Sequence, residues 1–396
     1  MLDVLVISSL LSTFLIIYHH ALYPLLLRLA ERGLPARQLL AVEGKPYAPD
    51  SATRPFFSIL VPAFNEARFI HDKLVNLACL DYPAERFNIV IACDGCQDDT
   101  ANIARAFRES ELARGLHIQI LEFQNNRGKC AVINAVVPSL QADIIALTDV
   151  SALVSIDALK VAETNFREAE VGAVNGNYRL LHASGAGEQQ YWQYQSHIKR
   201  AEERLGSVLG AHGAFYCLRK NLFQRLPADT INDDFVIPMR VIEQGYRVVY
   251  EPRINALELE QSSNAQDWKR RQRIGMGNVQ QVLRLRRLFT PRYSGVAFTF
   301  FSGKGLRVLM PVFMVYVFVS SAMLNLWADA LAPSSALFFQ CFFSAQCAVY
   351  ALAATVALSR ARFGGRVGKI VFYLVSGHLA NLIGACRFLF KQKTQW

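Results

Sequence analysis

The stretch Phe57–Glu66, FSILVPAFNE, decides the fold of this 396-residue chain. Its first part, Phe57–Val61, is a short β-rich run that ends at Pro62, and two polar side chains, Asn65 and Glu66, follow at once. A short apolar run bounded by a turn-forming residue predicts a buried strand. The polar pair then lies at the carboxyl end of that strand.

Similar runs recur downstream, and helix-like stretches separate them. The further strand-like runs are Asn88–Cys93, Ile118–Phe123 and Asp143–Thr148, and the helix-like stretches include Ala67–Cys79 and Thr100–Arg114. Alternation of strand and helix predicts an α/β domain with a mostly parallel sheet covered on both faces. Ligands of such sheets bind beyond the carboxyl ends of the strands. We therefore expect the functional site at that edge.

Acidic residues stand at this edge after three of the strands. Glu66 follows the first, Asp94 follows the second, and Asp149 follows the run Asp143–Thr148; the pair Asp233-Asp234 comes later. Hard divalent cations prefer carboxylate and phosphate oxygens, so carboxylates at strand ends suit a metal ion and a sugar-nucleotide. The later pair suits a general base.

Apolar segments bracket this polar middle. The hydrophobic fraction is 52%, and four segments, at about 4–27, 307–328, 335–358 and 368–390, approach the length that crosses a bilayer, which is about 20 residues. We predict one N-terminal and three C-terminal transmembrane helices. A cleavable signal peptide is disfavoured, because no basic region precedes the first segment and no cleavage site follows it. The net charge of +10 suits anionic lipid and a diphosphate, and no nucleic-acid recognition module is visible.

Basic residues set the predicted topology. They follow the first segment and fill the gap before the last one, whereas the gap between the second and third has none. The positive-inside rule then predicts a multi-pass protein of the inner (cell) membrane with its polar domain in the cytoplasm. The predicted parts are residues 1–30, a cytosolic domain at 31–278, a basic amphipathic interfacial segment at 279–305, and a membrane region at 306–396. Arg387 would end outside if the last segment crosses, so a re-entrant or interfacial course stays open for that segment.

Six short motifs in order carry a resemblance to a known family. They are Val61–Glu66 (VPAFNE), Asp94–Asp98 (DGCQD), Asn126–Lys129 (NRGK), Thr148–Ser151 (TDVS), Asn232–Asp234 (NDD) and Arg270–Ile274 (RRQRI). Together they resemble the membrane-bound family 2 glycosyltransferases. That group has a GT-A fold and includes cellulose, hyaluronan and poly-N-acetylglucosamine synthases and ceramide glucosyltransferase. The match runs from about residue 56 to 290.

The resemblance implies roles for the donor side of the site. Asn65 and Glu66 match residues that hold the uridine ribose and base, and Asp94 matches the aspartate that accepts from the uracil ring. Lys129 matches a lysine that approaches the nucleotide. Asp149 matches the first aspartate of the DxD element, which bridges a divalent cation, Mg²⁺ or Mn²⁺, and the diphosphate.

It also implies roles for catalysis and the acceptor. Asp234 matches the presumed base, and its neighbour Asp233 would raise its pKa if both carboxyls point into one site. Arg270 and Arg273 match the polar positions of the (Q/R)xxRW motif and would bind the diphosphate. Candidate acceptor contacts are the aromatic Trp192, the histidine of the turn GAHGA, His212, and Asp233.

Two positions depart from the family pattern. Ser151 replaces the second acidic residue of DxD, so one metal ligand is either this hydroxyl or is supplied elsewhere. Ile274 replaces the tryptophan of (Q/R)xxRW, which borders the acceptor sugar in the synthases. The second change favours a single transfer over processive polymerisation.

Ordinary structural roles compete with these assignments. Asp149 is a candidate N-cap for a helix before Leu153, and Asp233 or Asp234 is one for a helix over Phe235–Gln244. The basic run around Arg270 also suits a solvated or lipid-facing helix. The eight cysteines, including the pair Cys93 and Cys96, are interpreted as small buried hydrophobic residues of a reducing compartment.

The sequence thus predicts inverting, metal-dependent transfer of a hexosyl group from a nucleotide-sugar, most simply UDP-linked, at the cytoplasmic membrane face. The acceptor is a polysaccharide or a lipid. The alternative is a membrane protein that binds a nucleotide-sugar without turnover. A transporter is disfavoured, because few ionisable residues lie inside the apolar segments.

Overall fold

The structure, a computed structural model, describes residues 1–33, 54–181, 186–260, 264–359 and 365–390, with the backbone alone at 186–193 and 264–266. Its described residues form two compact units. The sheet unit contains Arg28–Ser262 and Leu285–Thr299, and the helical unit contains Met1–Leu27, Ser263–Arg284 and Phe300–Gln395.

The sheet unit is built on a mixed sheet of eight strands. The strands are β1 (Phe57–Ala63), β2 (Phe87–Asp94), β3 (His117–Phe123), β4 (Ile144–Leu147), β5 (Ala152–Val154), β6 (Val171–Leu180), β7 (Tyr216–Arg219) and β8 (Arg247–Glu258). Their order in the sheet is β3-β2-β1-β4-β7-β6-β8-β5. Strands β3, β2, β1 and β4 pair in parallel, as do β6 and β8, whereas β7 is antiparallel to both of its neighbours and β5 is antiparallel to β8.

Thirteen α-helices accompany these strands in the described part of the chain. They are α1 (Leu2–Ile17), α2 (Tyr23–Gly33), α3 (Ile70–Ala78), α4 (Thr100–Arg108), α5 (Lys129–Val136), α6 (Ala158–Phe166), α7 (Ala186–Arg204), α8 (Asp233–Glu243), α9 (Asn264–Arg284), α10 (Gly295–Phe300), α11 (Leu306–Leu326), α12 (Pro333–Leu358) and α13 (Gly365–Leu389). Two π-helical segments, Tyr18–Leu22 and Phe301–Gly305, interrupt the apolar helices.

The predicted α/β sheet is confirmed. All four predicted strand-like runs are strands, with ends that differ by one or two residues, and Ile59, Leu60 and Val61 are fully buried. Such continuous apolar runs are typical of parallel strands whose two faces are both covered. The predicted helices Ala67–Cys79 and Thr100–Arg114 are real but shorter, as α3 and α4.

Both helix-capping alternatives for the acidic residues are wrong. Asp149 precedes strand β5 and not a helix. Helix α8 begins two residues earlier than predicted, so that Asn232 is its N-cap residue while Asp233 and Asp234 lie in its first turn. The partial positive charge of a helix N-terminus stabilises carboxylates at this position.

Four helices are long and apolar enough to cross a membrane, as predicted: Leu2–Gly33, Gly295–Leu326, Pro333–Leu358 and Gly365–Leu389. Residues 279–305, which we predicted to be one interfacial segment, comprise the end of α9, two 3₁₀ turns, α10 and a π-helical segment. The predicted domain boundaries and the course of the last helix relative to a membrane stay predictions.

Within the helical unit, α9 packs closely against α13. Arg387 Nη1 donates a hydrogen bond to Gln272 Oε1 at 2.5 Å, and the guanidinium of Arg271 lies 4.2 Å from the ring centre of Tyr373. A Cβ on Gly384 would lie only 2.3 Å from the carbonyl oxygen of Gln272. The helix that carries the basic run RRQRI is therefore fixed to the last apolar helix.

In the sheet unit, the last residue of β7, Arg219, is fully buried and donates to three backbone carbonyls. Its Nε is 2.8 Å from Val171 O, and its Nη2 is 2.7 Å from Phe166 O and 3.0 Å from Glu168 O. These bonds hold the connection between α6 and β6.

We expect Arg219→Met to lower the free energy of unfolding by about 3 kcal/mol, because three buried carbonyls lose a charged donor. In thermal unfolding of the detergent-solubilised protein, this corresponds to a drop in Tm of roughly 5–10 °C. The control is Arg225→Met at an exposed position of the same unit, for which we expect a change below about 0.5 kcal/mol. Equal Tm values for the two variants would contradict this role of Arg219.

Candidate active site

Three of the predicted site residues meet at Gly213, in the loop between α7 and β7. A Cβ built on Gly213 would lie 3.0 Å from Asp149 Oδ2, 3.5 Å from Lys129 Nζ and 3.6 Å from Asp234 Oδ2. Glycine leaves this space open, whereas any other side chain would enter it. The loop after β4, the start of α5 and the first turn of α8 thus bring their charged groups to one point.

The Lys129 ammonium is the cation at the centre of this cluster. Its Nζ is 2.6 Å from Asp149 Oδ1 and 3.6 Å from Asp233 Oδ2. Burial alone would lower the pKa of Lys129, but the charges of Asp149 and Asp233 raise it above its ordinary value. Burial would likewise raise the pKa of Asp149, yet its side chain is 38% exposed and the ion pair with Lys129 lowers that pKa. Asp149 is therefore an ionised carboxylate that solvent can reach.

The two carboxylates of α8 differ in their surroundings. Asp233 is buried, and burial raises its pKa although the Lys129 charge acts in the opposite direction. Asp234 is half-buried, and its Oδ2 accepts a hydrogen bond from Gly213 N at 3.2 Å. We predicted a raised pKa for Asp234, and the group whose pKa burial raises is its neighbour Asp233. Asp234 is the carboxylate directed to the space at Gly213. The predicted contact of Asp233 with an acceptor stays a prediction.

Asp94, at the end of β2, holds the loop that leads to Lys129. Its Oδ2 accepts hydrogen bonds from the backbone amides of Arg127, at 2.9 Å, and Gly128, at 2.7 Å. Its Oδ1 is buried and accepts no hydrogen bond within the described part of the chain, and Arg127 Nε is 3.7 Å from it. A Cβ on the next residue, Gly95, would lie 2.4 Å from Asn126 N, so only glycine allows this close approach. One oxygen of Asp94 therefore fixes the loop, and the binding of Asp94 to a nucleotide stays a prediction.

Asn65 and Glu66 follow β1 at the same edge of the sheet. Asn65 has a positive φ of 55°, and its Oδ1 accepts from Gln97 N at 2.8 Å. Burial, followed by the charges of Glu260 and Asp149, raises the pKa of Glu66 to about 7. Glu66 thus lies in an acidic environment near Asp149.

The acceptor candidates are only partly described. The ring of His212 stacks on Tyr178 with ring centres 3.7 Å apart, and its backbone amide donates to Asn175 Oδ1 at 3.0 Å. Trp192 lies in α7, but its side chain is outside the described part of the structure. Contact of either residue with an acceptor stays a prediction.

Asp149 fits one kind of divalent-cation site. Among the described residues, no group of three or more His, Cys, Asp and Glu side chains is arranged to hold a metal ion. Mg²⁺, however, often binds one or two carboxylates and completes its shell with substrate phosphates and water. The exposed Asp149 carboxylate suits such a site. The hydroxyl of Ser151 is buried and hydrogen-bonded to Glu258 on β8, so its role as a ligand stays a prediction.

Arg270 and Arg273 lie on α9 in the helical unit. They are three residues apart and share one face of that helix. Their binding to a diphosphate stays a prediction.

Two residues near Asp149 were missed by the sequence analysis. One is Glu258, the hydrogen-bond partner of Ser151, and the other is the fully buried Lys73 on α3. Burial lowers the pKa of Lys73 to about 7, while the charges of Asp149 and Glu258 act in the opposite direction. A signal for Lys73 was present, because it interrupts the apolar face formed by Ile70, Leu74 and Leu77. None was present for Glu258, whose partner is distant in sequence.

Comparison with known proteins shows the family of this chain. The model of the family described as "glycosyltransferase like family 2" matches residues 54–277. The chain belongs to this family.

Two curated relatives are similar over the same region. The poly-β-1,6-N-acetyl-D-glucosamine synthase of Staphylococcus aureus is 28% identical over 235 residues, which cover 57% of this chain and 55% of that protein. A probable glycosyltransferase of Bacillus subtilis, YdaM, is 24% identical over 242 residues, or 58% of this chain and 57% of that protein. The match therefore spans about half the length of each relative.

The fold is shared with a solved glycosyltransferase. The structure of a mannosyltransferase from Pyrobaculum calidifontis, in complex with GDP-Man and Mn²⁺, has a TM-score of 0.72 and 20% identity and covers 98% of this chain and 100% of its own. The predicted GT-A fold, with one apolar helix before and three after the sheet, is thereby confirmed.

We expect the raised pKa of Glu66 to make stability depend on pH. Between its ordinary pKa of 4.5 and about 7, the folded protein holds a proton on Glu66 that the unfolded chain releases. Stability from this group therefore falls as pH rises through that window. Glu66→Gln removes the contribution, so the Tm of this variant should rise relative to wild type between pH 5 and 7.5.

Thermal unfolding of both proteins in one detergent measures this difference. Glu85→Gln, at an exposed position on the same unit, is the control and should show no pH-dependent difference from wild type. A Tm difference between Glu66→Gln and wild type that stays constant with pH would contradict the prediction.

Proposed function

We propose that this protein transfers a hexosyl group from a nucleotide-sugar to an acceptor hydroxyl, with inversion, at the cytoplasmic face of a membrane. The observation that carries the proposal is the meeting of Asp149, Lys129 and Asp234 at Gly213 within a domain of a glycosyltransferase family. A carboxylate for the diphosphate side, a cation and a second carboxylate for the acceptor are the groups that such a transfer requires.

The nucleotide would bind along the edge formed by the ends of β1 and β2. Asp94 Oδ1, which is buried and accepts no hydrogen bond in the described chain, suits a ring N–H of the base. Asn65 and Glu66 lie beside the same edge. We propose a UDP-sugar as donor; GDP-Man, the ligand of the P. calidifontis enzyme, is the alternative that experiment must separate.

In the proposed step, Asp234 accepts the proton of the acceptor hydroxyl. The electron pair freed on that oxygen attacks the anomeric carbon. The bond from this carbon to the diphosphate oxygen breaks, and the diphosphate leaves with the bonding electrons. Attack from the face opposite the leaving group inverts the anomeric configuration. The Lys129 ammonium lies where it can balance negative charge near Asp149. Asp149 would hold Mg²⁺ or Mn²⁺, which supplies further charge neutralisation to the diphosphate when bound.

The acceptor is a lipid or a growing polysaccharide. Ile274, in place of the family's tryptophan, favours a single transfer to a lipid. The similarity to a polysaccharide synthase favours a polymer. The four apolar helices are consistent with either, as an anchor or as a path for the product.

Membranes containing the protein, incubated with Mn²⁺ and radiolabelled UDP-glucose, UDP-N-acetylglucosamine or GDP-mannose, should incorporate label from a UDP-sugar. EDTA should suppress this incorporation. Extraction with organic solvent then separates lipid-linked from polymeric product. Incorporation only from GDP-mannose would overturn the UDP assignment, and binding of a nucleotide-sugar without any product would favour the non-catalytic alternative.

Asp234→Asn should reduce incorporation by about 10²–10⁴-fold, since general-base catalysis contributes roughly that factor. Because Asp234 faces the acceptor, nucleotide binding measured by calorimetry should stay near the wild-type value. Asp229→Asn, an exposed position in the preceding loop, is the control and should keep full activity. Loss of nucleotide binding in Asp234→Asn, or full residual activity, would refute the assignment of Asp234 as base.

A further inference from the structure

Helix α3 reaches the loop that carries Asp149 through one fully buried side chain, Lys73. Its Nζ donates to Thr148 Oγ1 at 2.7 Å and to the carbonyl oxygen of Ala152. These two acceptors are the first and last residues of the segment Thr148–Ala152, which contains Asp149. The Lys73 ammonium therefore donates a hydrogen bond to each end of this segment.

The direction of the hydrogen bonds follows from the chemistry of the threonine. Thr148 Oγ1 is 2.6 Å from the carbonyl oxygen of Ala214, which can only accept, so the hydroxyl hydrogen points there. The hydroxyl must then accept from Lys73. Ala214 directly follows Gly213, and the chain of bonds from Lys73 through Thr148 thus links the Asp149 loop to the glycine where the charged groups meet.

An apolar side chain would fill position 73 at lower desolvation cost, because its helical neighbours Ile70, Leu74 and Leu77 are all buried. It would leave the Ala152 carbonyl without this donor. The lysine thus has no packing advantage, and its two hydrogen bonds define what it contributes at this position.

We propose that Lys73 is a positioning residue that holds the segment Thr148–Ala152 so that the Asp149 carboxylate stands at Gly213, ready for the donor diphosphate. Only the last part of this inference, that Asp149 is ready for the donor diphosphate, rests on the proposed function. Fixation of the loop is a property of the ligand-free protein.

Asn76, one turn further along α3, provides a matched comparison. Its Nδ2 donates to Val154 O and its Oδ1 accepts from Val154 N, both at 2.8 Å. Lys73→Met and Asn76→Ala therefore each remove two hydrogen bonds between the same helix and the same stretch of chain. Only the first acts on the segment that contains Asp149.

The experiment compares these variants as full-length proteins in detergent. Hydrogen–deuterium exchange of the ligand-free proteins should be faster at residues 149–152 in Lys73→Met, whereas in Asn76→Ala it should be faster at Val154. Calorimetric binding of UDP or GDP with Mn²⁺ should be weaker by about tenfold in Lys73→Met and changed by less than about twofold in Asn76→Ala. Thr148→Val removes the hydroxyl that links Lys73 to Ala214. If Lys73→Met does not fold, Thr148→Val takes its place and should show the same faster exchange at residues 149–152 and the same weaker nucleotide binding.

Equal exchange at residues 149–152 in the Lys73→Met, Thr148→Val and Asn76→Ala proteins would overturn the inference. So would faster exchange there with unchanged nucleotide affinity. A wild-type protein that binds neither nucleotide would instead refute the proposed donor chemistry, and the exchange data would still decide whether Lys73 fixes the loop.

Discussion

The site depends on the ion pairs that the Lys129 ammonium makes, because three carboxylates cannot otherwise lie so near one another. Asp149, Asp233 and Asp234 approach the same region, and like charges at such short range repel each other strongly where solvent is partly excluded. One cation paired with Asp149 and near Asp233 offsets this repulsion. The same ion pair lowers the pKa of Asp149 and keeps that carboxyl ionised. Among the described residues, the ion-pair partners of Lys129 are Asp149 and Asp233, whereas Asp234 is not one of them.

The position of that cation is itself set by the end of strand β2. Lys129 is the first residue of α5, and the two residues before it are held by their amides on Asp94 at the end of β2. One oxygen of Asp94 therefore fixes the loop before Lys129, and the other lies buried beside the Arg127 guanidinium. The end of β2 and the charged cluster at Gly213 are thus linked through one side chain.

The sequence predicted the sheet, and acidic residues at the carboxyl ends of its strands, because both depend on local patterns. Short apolar runs identify strands, and parallel strands of one sheet place their ends at one edge. The motifs then indicate which residues at that edge carry charge. Helix α8 was predicted two residues too short, because the two acidic residues of its first turn were interpreted as capping residues. Acidic residues are also favoured inside the first turn, where the helix dipole stabilises them.

What the sequence did not indicate depends on contacts between distant segments. Glu258 reaches Ser151 only because β8 returns antiparallel beside β5. The two bonds of Lys73 depend on how α3 lies over the loop after β4, for which no local pattern exists. The position of Lys73 on the apolar face of α3 did indicate burial. Burial of a lysine is opposed by its desolvation, however, so the default interpretation of such a residue is an exposed one.

The close packing of α9 on α13 has a consequence for how lipids act on this protein. Gly384 lets the backbone of α13 approach that of α9 closely, and Arg387 adds a hydrogen bond to Gln272 on α9. Apolar helices adjust their tilt when bilayer thickness changes. If α13 spans a bilayer, a change of thickness that tilts α13 would also displace the segment of α9 that carries Arg270 and Arg273, and the thickness of the lipid would become an input to the geometry of this basic run.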